Sequence, residues 1–247
     1  IASGDVSSAD VSALDTANSA EIGIWFDREA NVRQALDEVL QSVGAYWYVD
    51  RAGDFRMRQL AAPSGSPVAS LKIDDGDTAF AADDYAIEEL ERLRLAVGRE
   101  DGSTGIPAWR VVLRYKRAWT VQREDIDSAA TAAAITFAGT EWRSEVASDA
   151  AIQTQHLLAP QLEQDSLIVD QSAAATEAAR LLGMFKVLRD RYRVTAHLTQ
   201  DLVDAVDLGD TVKLFSPRFG LSAGKLMTVT GLQYEVQADL ITLDLWG

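Results

Sequence analysis

Hydrophobic positions along the chain change period several times, and each change marks an element. Behind Ser7-Ser8-Ala9-Asp10, Val11 and Leu14 stand three apart, which predicts a short helix with a polar N-cap. Ile22-Gly23-Ile24-Trp25-Phe26 reads as a strand. Val32, Ala35, Leu36, Val39, Leu40 and Val43 then repeat at three-and-four spacing, with Asn31 placed to cap the start and Gly44 to take the left-handed stop. That is a helix with one buried stripe. Ala45-Tyr46-Trp47-Tyr48-Val49 and Phe55-Arg56-Met57-Arg58-Gln59-Leu60 flank Asp50-Arg51-Ala52-Gly53-Asp54, so a β-hairpin follows. Along its second strand Phe55, Met57 and Gln59 alternate with Arg56, Arg58 and Leu60, and one face should see water.

Ala61-Ala62-Pro63-Ser64-Gly65-Ser66-Pro67 interrupts this pattern with small residues and two prolines, and a domain boundary is expected there. The segment around Ile87, Leu90 and Leu93 fits neither period cleanly. Trp109 to Tyr115 is β-branched and aromatic, as a strand is, and a loop from Gly98 to Pro107 precedes it. Ala129 to Ala138 and Ala173 to Leu188 read as helices, the second capped by Ser172, with a strand at Glu141-Trp142-Arg143-Ser144-Glu145-Val146 between them. Tyr192 to Leu198 alternates as a strand. Thr211–Phe215, Leu226–Leu232 and Leu240–Trp246 follow as three strands joined by turns. A lone three-stranded meander barely holds together, so these strands should complete a sheet or barrel begun elsewhere. The expected fold is α+β and β-rich. A helix-hairpin subdomain spans residues 1–62, and a β-rich module spans 68–247, with an α+β insertion at about 123–199 and closing strands over 200–247.

Composition narrows the chemistry. The 247 residues are 47% hydrophobic and 25% charged, ordinary values for a globular fold. Twenty-three Lys and Arg face 38 Asp and Glu, and the net charge of −15 has the wrong sign for gripping phosphate backbones. No apolar run is long enough to span a bilayer as a helix. Without cysteine there are no disulfides, thiolate metal sites or cysteine nucleophiles. Asp74-Asp75-Gly76-Asp77 has D-x-D-G spacing but lacks the later ligands of a calcium loop, and with Asp83-Asp84 it reads as a solvated acidic stretch. His156 and His197 lack partners at metal-ligand spacing and read as structural. Serines occur without a nucleophile elbow, and Gly102-Ser103-Thr104-Gly105 lacks the lysine of a phosphate loop. No catalytic, cofactor or metal residue is expected.

The candidate contact residues are aromatic or basic. A strand points Trp47 to one face and Tyr46 and Tyr48 to the other, either as stacking platforms for a sugar or partner or as surfaces covered by the preceding helix and a neighbouring chain. Arg56 and Arg58 share a face, solvated or in contact with a partner. Trp246 closes the last strand in the core or at an interface.

The order of these features resembles the hub proteins of phage tails. Val32 through Tyr48, with the hairpin running to Leu60-Ala61-Ala62-Pro63, is similar to their helix-plus-hairpin. The stretch from Leu208-Gly209-Asp210-Thr211-Val212 through Pro217-Arg218-Phe219-Gly220-Leu221 and Gly224-Lys225 to Leu243-Asp244-Leu245-Trp246-Gly247 resembles the close of the same module. The resemblance implies a tube-like barrel and a structural role without cofactors. The expected protein is a baseplate hub or tail-tip component, trimeric, joining tail tube to fibres or spike and contacting other tail and baseplate proteins. DNA would pass it without specific binding. Its location would be the virion tail, assembled in the cytoplasm of a bacterial host, and it would have no membrane span. Net −15 fits a lumen that repels phosphates. Arg218 would bridge subunits through a carboxylate or cap its own turn. Starting at Ile1 and stopping after the strand-like run to Gly247, the chain reads as a piece of a longer polypeptide. The alternatives are a tail-associated cell-wall hydrolase, which needs two convergent carboxylates or a carboxylate and His156, and a carbohydrate-binding module using Tyr46, Trp47 and Tyr48.

Overall fold

The computed structural model describes residues 6–26, 29, 31–73, 79–93, 107–124 and 126–247. Along the chain these form α1 (Ser8–Ala17), α2 (Val32–Ser42), β1 (Ala45–Val49), β2 (Phe55–Gln59), β3 (Ala69–Ile73), β4 (Asp84–Leu93) and β5 (Arg110–Tyr115). There follow α3 (Ala132–Gly139), β6 (Arg143–Ser148), α4 (Ala150–Gln155), β7 (Gln161–Asp165), α5 (Gln171–Phe185), β8 (Arg191–His197), α6 (Gln200–Ala205), β9 (Thr211–Phe215), β10 (Lys225–Glu235) and β11 (Leu240–Trp246). The fold is α+β and rich in strands, as the sequence predicts.

Contacts divide the chain into two compact units: Ile1–Leu60 with Ile106–Val187, and Ala61–Gly105 with Leu188–Gly247. This grouping is discontinuous and differs from the linear division into residues 1–62 and 68–247. The chain crosses between units near residue 60, and the central helices fall in the hairpin's unit because α5 covers a sheet built there.

Among the described residues the first unit holds two sheets. Hairpin β1–β2 pairs Trp47 with Met57 and Tyr48 with Arg56. A three-stranded sheet runs in the order β6-β5-β7, antiparallel then parallel. Val111, Leu113 and Tyr115 are buried on the face that meets α5, whose Ala174, Ala178, Leu181, Leu182 and Met184 are also buried. Ser7 caps α1 and Asn31 caps α2, as predicted, whereas α5 is capped by Asp170, whose carboxylate also accepts from the Ser172 hydroxyl expected to do so. Ile22–Phe26 is not a strand. Among the described residues it pairs only through Ile22, in a single bridge to Ile168, and joins no ladder.

The second unit is a closed barrel in the order β10-β11-β8-β4-β3-β9. The C-terminal strands therefore do complete a barrel begun earlier in the chain. The unassigned Ile87 segment becomes β4, with an irregularity between Ile87 and Glu89 that offsets its alternation. Leu71, Val194, Val212, Leu214, Met227, Ile241 and Leu243 fill the interior, with Leu202 of α6 packed among them. This barrel encloses a packed core.

Candidate interaction surfaces

In the hairpin, each face of β1 has a defined set of partners. Trp47 stacks on Phe55 with centroids 5.2 Å apart, and its indole N–H donates to Asp37 of α2 at 2.7 Å. On the other face Tyr46 and Tyr48 stack at 6.2 Å, Tyr48 is buried, and the Arg58 guanidinium lies 6.0 Å from the Tyr48 centroid. The three rings thus form no exposed coplanar platform. Arg56 does not lie on a solvated face. It is forked onto Asp10 of α1 at 2.6 and 3.0 Å and reaches Asp50 at 3.3 Å. Hydrogen bonds from this guanidinium hold the Asp10 carboxyl below its usual range, and the Arg56 pKa rises in return. These residues fasten α1, α2 and the hairpin together, a coupling between distant segments that alternation alone does not reveal.

The C-terminal signature residues build two turns of the barrel. Gly209 has φ +81° and donates to the Val229 carbonyl, and the Asp210 carboxylate accepts from the Asp207 N–H, so this turn is pinned to β10. After Pro217, Phe219 and Gly220 both lie in the left-handed region at +59° and +74°, and Leu221 N–H closes onto the Arg218 carbonyl. Phe219 is 45% exposed, with its ring 5.9 Å from that of Tyr192. The turn is capped by Ser216, whose hydroxyl accepts from the Arg218 N–H. The Arg218 side chain is exposed and has no partner among the described residues. Trp246 is half-buried under Arg189, which lies 4.8 Å from its ring.

A groove of about 450 Å³ in the first unit went unrecognised in the sequence. Its lining includes Glu38, Arg114, Arg117, Trp119, Trp142, Glu163 and Asp165. Arg117 lies 4.6 Å from the Trp119 ring and 5.3 Å from that of Trp142 and pairs with Glu141, while Arg114 pairs with Asp165 at 2.5 Å. The spacing Arg117-x-Trp119 and the neighbours Trp142-Arg143 were the only local signal.

The remaining polar candidates have structural partners. Asp84 accepts from the Ala81 N–H and from Lys72 Nζ, which together hold its carboxyl below the usual range. His156 is the C-cap of α4, and His197, largely exposed, lies 2.7 Å from Glu88. Asp74 to Asp77 and Gly102 to Gly105 lie outside the described residues. Among the described residues no group of three potential metal ligands gathers.

No protein-family model matches the chain, and no curated protein matches it. Solved structures do. The fold is similar to that of a solved tail protein and of a chain in a solved virion. A tail protein from Neisseria meningitidis MC58 covers 96% of the chain at 16% identity with a TM-score of 0.53, and a chain of the native gene transfer agent virion covers 87% at 20% identity with a TM-score of 0.50. The present chain spans 66% and 38% of those two chains.

Proposed function

We propose that this chain is a structural component of a virion tail, and within it part of an oligomeric tip or baseplate hub that connects tube to fibres or spike. The observation that carries the reading is the correspondence of 96% of the chain with a tail-protein fold. Its filled barrel interior agrees with the reading. A DNA path must then run between copies, and the net charge of −15 keeps such a wall from binding duplex. Other tail and baseplate proteins are its partners, and Arg218 beside Phe219 offers a basic and aromatic contact at a barrel end.

Sedimentation over a concentration series tests the oligomer. The expected result is a species of three times the 26.9 kDa chain, and a monomer throughout overturns the oligomeric reading. Purified cell walls test the enzymatic alternative. No sugar or peptide release is expected, and release lost on Glu163→Gln would replace the structural reading with a hydrolase.

A further inference from the structure

Helix α3 breaks the rule that an apolar helix is covered. Its residues, Ala-Ala-Ala-Ile-Thr-Phe-Ala-Gly, include one polar side chain, yet none is buried, and Ile135 and Phe137 are 43% and 53% exposed. Two cations flank it. Arg143 lies 3.7 Å from the Phe137 ring and donates to the Lys116 and Phe137 carbonyls, and Lys116 Nζ lies 5.5 Å from the same ring. Neither cation has a carboxylate partner among the described residues, in a chain with 15 more acids than bases. Lys116 is also held at φ +48°, a strained conformation for a side chain of its size. An apolar surface edged by unneutralised cations fits an apolar surface edged by carboxylate.

One helix of this chain sets an exposed apolar side chain beside a carboxylate. Helix α1 also has no buried residue. Val11, 44% exposed, and Asp15 lie four apart on one of its faces, and Asp15 has no cation among the described residues. We infer that α3 with Lys116 docks on the Val11–Asp15 face of α1 in a second copy of this chain. Two different faces meet in such a contact, so it is heterologous and generates a ring when its rotation closes. The inference rests on the proposed oligomeric hub and names the surface through which its copies meet.

Sedimentation equilibrium of the whole chain tests it, with far-UV circular dichroism and melting as controls on folding. Phe137→Ser, Lys116→Glu and Asp15→Lys should each raise the dissociation constant about tenfold or more, Lys116→Arg should not, and the Lys116→Glu/Asp15→Lys pair should recover most of the loss. If the single variants associate like the parent, or the paired reversal fails to recover, this contact is wrong while the hub reading stands. A parent chain that never associates removes both. If Phe137→Ser instead abolishes binding to phosphatidylglycerol vesicles and leaves self-association intact, the patch faces lipid and the proposal falls.

Discussion

Replacing Glu177 by Gln should loosen the first unit by about 2–3 kcal/mol. Glu177 is 1% exposed, and its carboxylate accepts from Arg180 Nε at 2.8 Å, from Arg180 Nη2 at 2.7 Å and from Asn18 Nδ2 at 3.1 Å. Arg180 in turn donates to the Leu60 carbonyl at 2.7 Å. One buried anion thus ties α5 to the end of α1 and the end of the hairpin. Breaking a fully buried pair costs about 3–5 kcal/mol, and because the Arg180 side chain is 25% exposed, water offsets part of that. Removing both charges in Glu177→Leu/Arg180→Met should cost less, about 1–2 kcal/mol, since no charge is left stranded and the loss is confined to the hydrogen bonds with Asn18 and with the Leu60 carbonyl. Gly44 supplies a second route to the same knot. It sits at φ +64°, and a Cβ there would overlap Arg180 Nη2 and lie 2.9 Å from Glu177 Oε1, so Gly44→Ala should match or exceed Glu177→Gln. Urea unfolding followed by tryptophan fluorescence reads this unit selectively, because five of the six tryptophans belong to it and only Trp246 to the other. A Glu177→Gln midpoint shift worth less than about 0.5 kcal/mol, or a double variant less stable than the single, would refute the reasoning.

Two further outcomes follow from packing and titration. The Asp10 carboxyl is held below its unfolded value by Arg56, so the stability it contributes is present above that value and is lost as pH falls through the lowered folded pKa. Acid unfolding of the first unit should therefore begin at higher pH in Asp10→Asn, and the difference in stability from the parent should shrink as pH falls below about 4; a difference that stays constant through that fall would contradict it. Leu243 is fully buried in the barrel, and Leu243→Ala should cost about 2–5 kcal/mol, read as faster hydrogen exchange of barrel amides with first-unit amides unchanged. Uniform loosening of both units would show that they do not unfold separately.

Elements whose signals are local were legible. The stripe of α2, with Asn31 at one end and Gly44 at the other, needs nothing from the rest of the chain, and neither does the hairpin turn around Gly53. What depended on distant partners was not legible. Ile22–Phe26 has strand composition, but among the described residues its one bridge is to Ile168, in antiparallel register. Strand β4 carries Glu88, Glu89 and Glu91 outward around an irregularity, and that charge hid the alternation of Ile87, Leu90 and Leu93. The groove of Arg114, Trp119, Trp142 and Glu163 exists because β7 pairs parallel with β5 across some fifty residues, a choice no window of sequence encodes. The ion pair of Arg56 was hidden for the same reason, since its acid lies 46 residues away.

Charge gives the assembly problem its shape. On the barrel Lys72 is paired with Asp84, Arg193 with Asp244, and Arg92 and Lys225 both with Asp190. Cations spent within the chain cannot neutralise a neighbour, so the net −15 is presented outward and copies approaching one another repel. Screening confines that repulsion to about 8 Å at physiological salt, which leaves short-range contact to decide association. A contact able to do so must bury apolar surface and bring a cation that its own chain has left unpaired. Among the described residues that combination occurs where Lys116 flanks the exposed Ile135 and Phe137 of α3, and where Arg218 stands beside Phe219. Raising salt weakens the attraction at these two places and the overall repulsion together. If both contacts operate, association should therefore vary little with ionic strength in the parent and rise with it in Lys116→Glu, where one of the two attractions has become a further repulsion to be screened.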